Sequence, residues 1–335
     1  MTRWSWEQLL RTSGIAAAAI IIGGMLCLLV GSTGLHWPSR LEFIYRRESV
    51  WDSAMIGLAL AAAGTAYQAI LRNPLADPYL LGVSSGASLA AYIWRLPVFA
   101  LATGGIGFFA ALSQQGFAFA GAMLTVAVVL GLAGRRGRID PVTLVLIGVI
   151  VNAVNGSIFL LINALERELP NTGGPLAFLV GGVQVITHWQ RAAVSVLILA
   201  GSIFLAQISG VLNAAGLEDA EAHGLGVPIN RVRWMGLIGA SLVTGAAVSI
   251  GGPIGFVGLV SPHIGRLFVG PDQRRLFPVS AAVGALLVMA ADALSRYLAA
   301  ENRLGTQLQI GILTGLLGGP FFLWLLLNSR KPARN

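Results

Sequence analysis

The chain has 335 residues, of which 56% are hydrophobic and only 11% are charged. Because soluble domains carry about 25% charged residues, so few charges cannot cover a soluble surface of this size. The net charge of +8 comes from basic residues that are dispersed between apolar runs without interleaved aromatics, which argues against nucleic-acid binding. A single cysteine, Cys27, excludes an intramolecular disulfide. The composition therefore predicts a polytopic membrane protein.

Apolar runs long enough to cross a membrane recur along the whole chain, since a bilayer core of about 30 Å needs about 20 apolar residues per helix. The first run exceeds the 7–15 residues of a signal-peptide core, so we expect it to be retained as a span. The predicted fold is all-α, with residues 1–335 forming a single transmembrane domain. Its ten predicted spans are 15–35, 54–71, 79–112, 116–134, 141–164, 192–212, 232–250, 253–270, 277–298 and 308–328, and a further run at 176–187 is too short to span.

The loops between these spans indicate an orientation. With the N-terminus inside, most of the 22 Lys and Arg residues fall on cytoplasmic segments, as the positive-inside rule requires. This distribution holds only if the run 79–112 crosses the membrane once, towards the outside, and the run 116–134 crosses back. Both termini are therefore predicted to be cytoplasmic.

Enzyme motifs are weak in this sequence. No Gly-x-x-x-x-Gly-Lys-Ser/Thr phosphate loop occurs, so the chain is not expected to bind ATP in that way. Residues 82–86 match the Gly-x-Ser-x-Gly hydrolase elbow, but they open a membrane span instead of a strand–turn–helix unit. The four histidines have no second ligand at helical spacing, so no metal site is expected. We predict no catalytic residue.

Asp292 is the one acid deep in an apolar run, and a carboxylate there is a candidate for a proton relay. Arg296 follows it at i+4, on the same helix face, which suggests a structural ion pair instead. The proton relay would belong to a secondary transporter.

Two polar segments interrupt the spans. The first, Gln68–Ser88, contains Arg72, Asn73, Asp77 and two prolines between apolar runs. The second, Glu218–Pro228, is acidic at its start and glycine-rich at its end, as suits a short helix. It is either a solvated loop or a docking element for a cytoplasmic partner.

Both segments, together with Gly252-Pro-Ile-Gly-Phe-Val-Gly-Leu-Val-Ser-Pro-His-Ile-Gly-Arg266 and Gly318-Gly-Pro-Phe-Phe-Leu-Trp324, resemble the permease subunits of type II ABC importers, the FecCD-type family. The resemblance implies a homodimer of ten-span subunits around one pathway in the bacterial inner membrane. It also implies two cytoplasmic ATPase subunits, which hold ATP and Mg²⁺, and a periplasmic substrate-binding protein. The chain itself is then not an enzyme, and its contacts besides these partners are with membrane lipid.

The resemblance also implies roles for individual residues. Those of the cytoplasmic gate are Asn73, Leu75, Pro141 and Val142. Those that couple to the ATPase lie in a segment at about 213–230 and are Glu218, Asp219, Glu221, His223, Gly224 and Gly226. Those that dock the binding protein are Arg46, Arg47 and Arg296; here the family usually has Arg-Leu-Pro-Arg where this chain has Arg46-Arg47-Glu48-Ser49.

The cargo of this family is a large metal chelate, which needs a wide cavity of mixed polarity. Polar residues in or near segments that could line it are Asn152, Asn155, Asn163 and Gln184. Interhelical hydrogen bonding is the alternative role for these amides. An iron–siderophore is the first expectation because it is the commonest cargo of the family, and haem and cobalamin are the alternatives.

Overall fold

A computed structural model describes residues 6–32, 34–96, 114–134, 140–165, 180–184, 186–216, 224, 226–299 and 308–329. Ten α-helices lie within these ranges. They are α1 (Trp6–Leu28), α2 (Arg40–Ile70), α3 (Val83–Arg95), α4 (Gln114–Ala133), α5 (Pro141–Leu165), α6 (His188–Ala215), α7 (Ile229–Gly251), α8 (Val257–Val269), α9 (Gln273–Leu298) and α10 (Ile310–Ser329). A 3₁₀-helix, Pro78–Leu81, precedes α3, and two short antiparallel strands, β1 (Val30–Gly31) and β2 (Gly34–Leu35), follow α1.

The predicted all-α membrane fold is confirmed, and each of the ten predicted spans overlaps one of the ten helices. Seven of them are long and apolar enough to cross a membrane, while α3 and α8, with 13 residues each, are shorter. The chain is therefore a multi-pass integral membrane protein. Helix α3 ends at Arg95, the residue that interrupts the third predicted span.

Helix α2 lies at the centre of the fold, and other helices bury almost all of its apolar stretch. Glycines allow this close packing. A Cβ atom at Gly57 would stand 2.1 Å from the carbonyl oxygen of Gly284 on α9, and one at Gly64 would stand 1.9 Å from that of Gly258 on α8. Because lipid offers no hydrophobic incentive for helices to associate, close backbone packing of this kind holds them together.

Hydropathy placed the start of the second span at residue 54, and this was wrong, because α2 begins at Arg40. Ser39 and Glu42 form a capping box at its first turn: the Ser39 N–H donates to Glu42 Oε2 at 2.8 Å, and the Glu42 N–H donates to Ser39 Oγ at 3.5 Å. The polar turns between Arg40 and residue 54 carry charges that pair with neighbouring helices. A scan that penalises each charge singly therefore begins the span too late.

Non-helical backbone inside the fold is satisfied by protein, as a membrane interior requires. The N–H groups of Gly182 and Gln184 donate to the carbonyls of Gly251 and Ile250 at the end of α7, at 2.8 and 3.0 Å. The N–H of Gly311, in α10, donates to Gly181 O at 2.9 Å. These bonds join the described part of the short run 176–187 to the end of α7 and to the start of α10.

Candidate gate, docking and pathway sites

The turn that follows α2 holds the first pair of predicted gate residues. Asn73 Oδ1 accepts a hydrogen bond from the Leu75 N–H at 2.9 Å, and the Asn73 N–H donates to Gln68 O at 3.2 Å. An asparagine before a proline favours such a turn, because Pro74 disfavours helical backbone at Asn73 and the amide replaces a backbone partner. Asn73 is exposed and Leu75 is half-buried. Both lie in the turn after α2, which ends at Ile70, and their role in a gate stays a prediction.

The same turn is fixed to the break between α7 and α8. Asp77 Oδ1 accepts from the Tyr79 N–H at 2.8 Å and caps the 3₁₀-helix. Burial raises the pKa of Asp77 to about 6, and that hydrogen bond opposes the rise. The Tyr79 hydroxyl donates to Ile254 O at 3.0 Å and accepts from the Ile254 N–H at 2.9 Å. Two hydrogen bonds of Tyr79 therefore attach the turn to this break.

The second pair of predicted gate residues begins α5. Asp140 precedes the helix and accepts from the Thr143 hydroxyl at 2.7 Å and from the Thr143 N–H at 2.8 Å, and these bonds lower the pKa of Asp140. Pro141 takes the first helical position, where its missing N–H costs nothing. Val142 is 67% exposed. Helix α5 also packs on the 3₁₀-helix of the first turn, so both gate pairs belong to neighbouring elements.

The candidate pathway amides all make hydrogen bonds within the subunit. Asn152 Nδ2 donates to Tyr79 O at 3.2 Å, and Asn155 Nδ2 donates to Ser85 Oγ at 3.0 Å. Asn163 Oδ1 accepts from the Tyr92 hydroxyl at 3.3 Å, and Gln184 Nε2 donates locally to Gly182 O at 3.0 Å. Three of the four amides thus join helix α5 to the 3₁₀-helix and to α3. Their contribution to a pathway stays a prediction.

The predicted docking arginines differ in exposure. Arg46 is only 5% exposed, and it donates to Glu42 Oε1 at 3.0 Å and to Leu28 O at 3.1 Å. Arg296 donates to Val30 O at 3.0 Å and to Cys27 O at 3.2 Å. Both guanidinium groups therefore hold the end of α1 and the strand after it. Arg47, by contrast, is exposed.

A second cluster of charges joins α2 to α6, and the sequence did not indicate it. Arg191 Nε lies 2.9 Å from Asp52 Oδ1, and Arg191 Nη2 lies 3.2 Å from Glu48 Oε2. Asp52 is only 2% exposed. The available signal was the i, i+4 spacing of Glu48 and Asp52, which puts two acids on one face of a helix. That signal was missed because the predicted span began after both residues.

The predicted coupling segment is bounded by the end of α6 at Ala215 and the start of α7 at Ile229. Glu218, Asp219, Glu221 and His223 lie outside the described residues. Gly224 and Gly226 are described and exposed, and Gly226 has φ +71°, a backbone conformation that favours glycine. No group of three or more His, Cys, Asp or Glu side chains in the described ranges could hold a metal ion.

This fold matches a solved structure closely. The matching chain comes from a protein assigned to the metal-chelate type of ABC transporter and captured in an inward-facing conformation. The TM-score is 0.79 and the identity is 25%, over 95% of this chain and 99% of the other. The architecture is therefore that of an ABC transporter permease.

The sequence comparison identifies the family. The model of the FecCD transport family matches residues 19–328, and the chain belongs to that family. The cobalamin import system permease protein BtuC of Halobacterium salinarum is 38% identical over 277 residues, or 82% of this chain and 69% of that protein. The hemin transport system permease protein HmuU of Yersinia pestis is 35% identical over 292 residues, or 83% and 80%. These relatives are transport components, and they are named for two different metal chelates.

Proposed function

We propose that this chain is the permease subunit of an ATP-driven importer of a large metal chelate. Two copies form the pathway in the bacterial inner membrane, with both termini cytoplasmic. Two separate ATPase subunits supply the energy, and a periplasmic binding protein delivers the cargo. The observation that carries this proposal is the family match over residues 19–328, because it includes the gate turn, the coupling segment and the break between α7 and α8.

The proposed gate is the turn at Asn73 and Leu75, with Pro141 and Val142 beside it. Asn73 presents an exposed polar group and Leu75 a half-buried apolar one. In the dimer, each of these two residue pairs would face the same pair of the second subunit. Together they would close the cytoplasmic end of a central pathway. The bonds of Tyr79 to Ile254 support this role, since a gate must rest on a rigid element in order to open as a unit.

The proposed coupling residues are Glu218, Asp219, Glu221, His223, Gly224 and Gly226. Reversing two charges tests them. Glu218→Lys and Glu221→Lys should abolish the stimulation of ATP hydrolysis by the permease, while the permease still inserts and dimerises. Full stimulation in both variants would contradict the assignment of this segment.

The proposed cargo is a tetrapyrrole-derived chelate, either cobalamin or haem. The two relatives described above, named for cobalamin and hemin, support this choice. A relative named for iron(3+)-hydroxamate import also matches the chain, so the first expectation from the sequence, an iron–siderophore, stays open. The iron–siderophore is therefore the alternative that an experiment must distinguish.

Reconstitution in proteoliposomes tests both levels of the proposal. The permease, assembled with its ATPase and binding protein, should drive accumulation of one labelled chelate only when ATP is supplied on the side of the membrane that carries the ATPase. Cobalamin, haem and a ferric hydroxamate siderophore are compared in parallel and in competition. Uptake of the siderophore alone would overturn the cargo assignment, and uptake of none of the three would overturn the choice of cargo class.

A secondary transporter that uses Asp292 is the second candidate function. The ion pair between Arg296 Nε and Asp292 Oδ2, at 3.1 Å, argues against it, because a proton carrier must exchange its partner during each cycle. Uptake driven by a proton gradient without ATP would nevertheless reverse this conclusion and reject the importer.

A further inference from the structure

The inner end of α6 is hydrogen-bonded to the gate turn. Arg72 Nε donates to the carbonyl oxygen of Ala215, the last residue of α6, at 2.9 Å. Ala215 is fully buried, so its carbonyl is shielded from water and has the Arg72 guanidinium as its partner. The two residues are 143 positions apart in sequence, yet Arg72 directly precedes Asn73.

The backbone of Arg72 is itself constrained. Its φ is +50°, one of two positive values among the described non-glycine residues. A side chain with a Cβ atom is disfavoured in this left-handed region, so the surroundings must hold it there. The carbonyl groups at a helix C-terminus carry partial negative charge, which favours a guanidinium at that position. The bond to Ala215 is therefore suited to keep the turn in its shape.

A second anchor fixes the same end of α6 to α9. Asn213 Nδ2 donates to Asp272 Oδ1 at 2.8 Å, and Asn213 Oδ1 accepts from the Gln273 N–H at 2.9 Å. Asp272 is the N-cap of α9. The end of α6 thus bonds to α9 on one side and to the gate turn on the other. The contact through Arg72 reaches the turn that carries the predicted gate residues.

We propose that Arg72 is a positioning residue, which transmits movement of the inner end of α6 to Asn73 and Leu75. This inference rests on the proposed function, because the proposed ATPase-coupling segment follows α6 directly. When the ATPase moves that segment, the Ala215 carbonyl displaces the Arg72 guanidinium. The turn then rotates about residues 72 and 73, and the gate changes its width.

The test measures the gate directly. Replacing Cys27 with serine removes the sole cysteine of the chain, so Leu75→Cys then carries the only spin label in each subunit. The distance between the two labels in the dimer is measured in the complete transporter, with and without ATP and Mg²⁺. Arg72→Asn removes the guanidinium and introduces asparagine, a residue that tolerates positive φ. Arg72→Lys keeps a cation, and Arg11→Asn removes an exposed arginine of α1 as the matched control.

In the labelled reference protein, the distance should change when ATP is added. In Arg72→Asn it should stay constant while ATP hydrolysis continues, and the number of chelates transported per ATP should fall at least tenfold. Arg72→Lys should restore most of the response, and Arg11→Asn should behave as the reference.

Three outcomes would overturn the inference. The first is an unchanged response in Arg72→Asn, which would show that the gate moves without this bond. The second is loss of assembly in both Arg72→Asn and Arg72→Gln, which would show a purely structural role. The third is a labelled reference protein in which the distance between the two spin labels does not respond to ATP. That result would reject the proposed function as well. It is distinguishable from the first two outcomes because it appears without any substitution at Arg72.

Discussion

Asp292 and Arg296 form a buried ion pair one turn apart on α9, with Nε and Oδ2 separated by 3.1 Å. The Ser49 hydroxyl, on α2, donates to both carboxylate oxygens, at 2.9 and 2.8 Å. The remaining guanidinium nitrogens of Arg296 donate to the carbonyls of Cys27 and Val30. One carboxylate and one arginine thus join three segments of the chain, which is a structural role for the only acid deep in an apolar run.

Asp292→Asn should destabilise the protein by about 3–5 kcal/mol, because removing one partner of a buried pair leaves the other charge uncompensated. Thermal unfolding of the purified protein in detergent measures this loss. The double variant Asp292→Asn/Arg296→Gln serves as the control. It should be more stable than Asp292→Asn alone, since neither charge is left unpaired. Equal stability of Asp292→Asn and the parent protein would show that the pair contributes nothing.

Gly64→Ala should destabilise the packing of α2 on α8 by about 1–3 kcal/mol, because the new Cβ atom meets backbone that cannot move aside. Gly131→Ala, on α4, is the matched control, since nothing lies within 4 Å of the added atom. It should be neutral or slightly stabilising, because alanine favours helix over glycine. The midpoint of thermal unfolding compares the two, and equal midpoints would contradict the close-packing interpretation.

Asn155→Ala should lower stability by about 1 kcal/mol, the usual contribution of an interhelical hydrogen bond in a membrane. The amide bonds Ser85 and Thr125 within the subunit, at 3.0 and 3.4 Å. The KM for the transported chelate should therefore stay within about twofold of the parent value. Ser157→Ala, at an exposed position of the same helix, should change neither quantity. A large rise in KM would instead support the pathway role.

Arg47→Glu should weaken docking of the binding protein, and more at low than at high salt. Arg47 is exposed, and exposed charges are screened over a Debye length of about 10 Å at 0.1 M salt. Affinity is measured by titration at two salt concentrations, with Arg11→Glu at the opposite end of the subunit as a control of equal charge change. Equal affinities for Arg47→Glu and the parent protein at low salt would remove Arg47 from the docking surface.

Arg46→Glu should act differently from Arg47→Glu, although the two residues are adjacent. Arg46 is buried against Glu42, so a glutamate there would place two acids together. We expect a loss of folded protein in a detergent stability assay, and not only a change in docking affinity. Normal stability together with weak docking would show that Arg46 leaves Glu42 to contact the partner, as the family resemblance implied.

The turn after α2 and the apolar helices of the described ranges could be predicted because their signals are local. Asn73-Pro74 and Asp77-Pro78 restrict their own backbone, and hydropathy is read over about 20 successive residues. The pairing of Arg191 with Asp52 could not be predicted, because 139 positions separate the two residues. Similarly, the exposure of Arg47 and the burial of Arg46 depend on which side of α2 faces α1. Helical periodicity shows that two adjacent residues lie on different faces of a helix, but it does not show which face another helix covers.

The sequence by itself determined the class of the protein, the apolar helices of its described ranges and the position of the turn after α2. It did so because few charges, long apolar runs and proline-containing turns have consequences that hold in any fold. Only the tertiary structure decided which polar groups from distant segments of the chain meet. Close contacts between backbones at Gly57 and Gly64 set how the helices cross. The packing of the helices in turn decides that Arg72 meets the end of α6 and that Arg296 meets the end of α1.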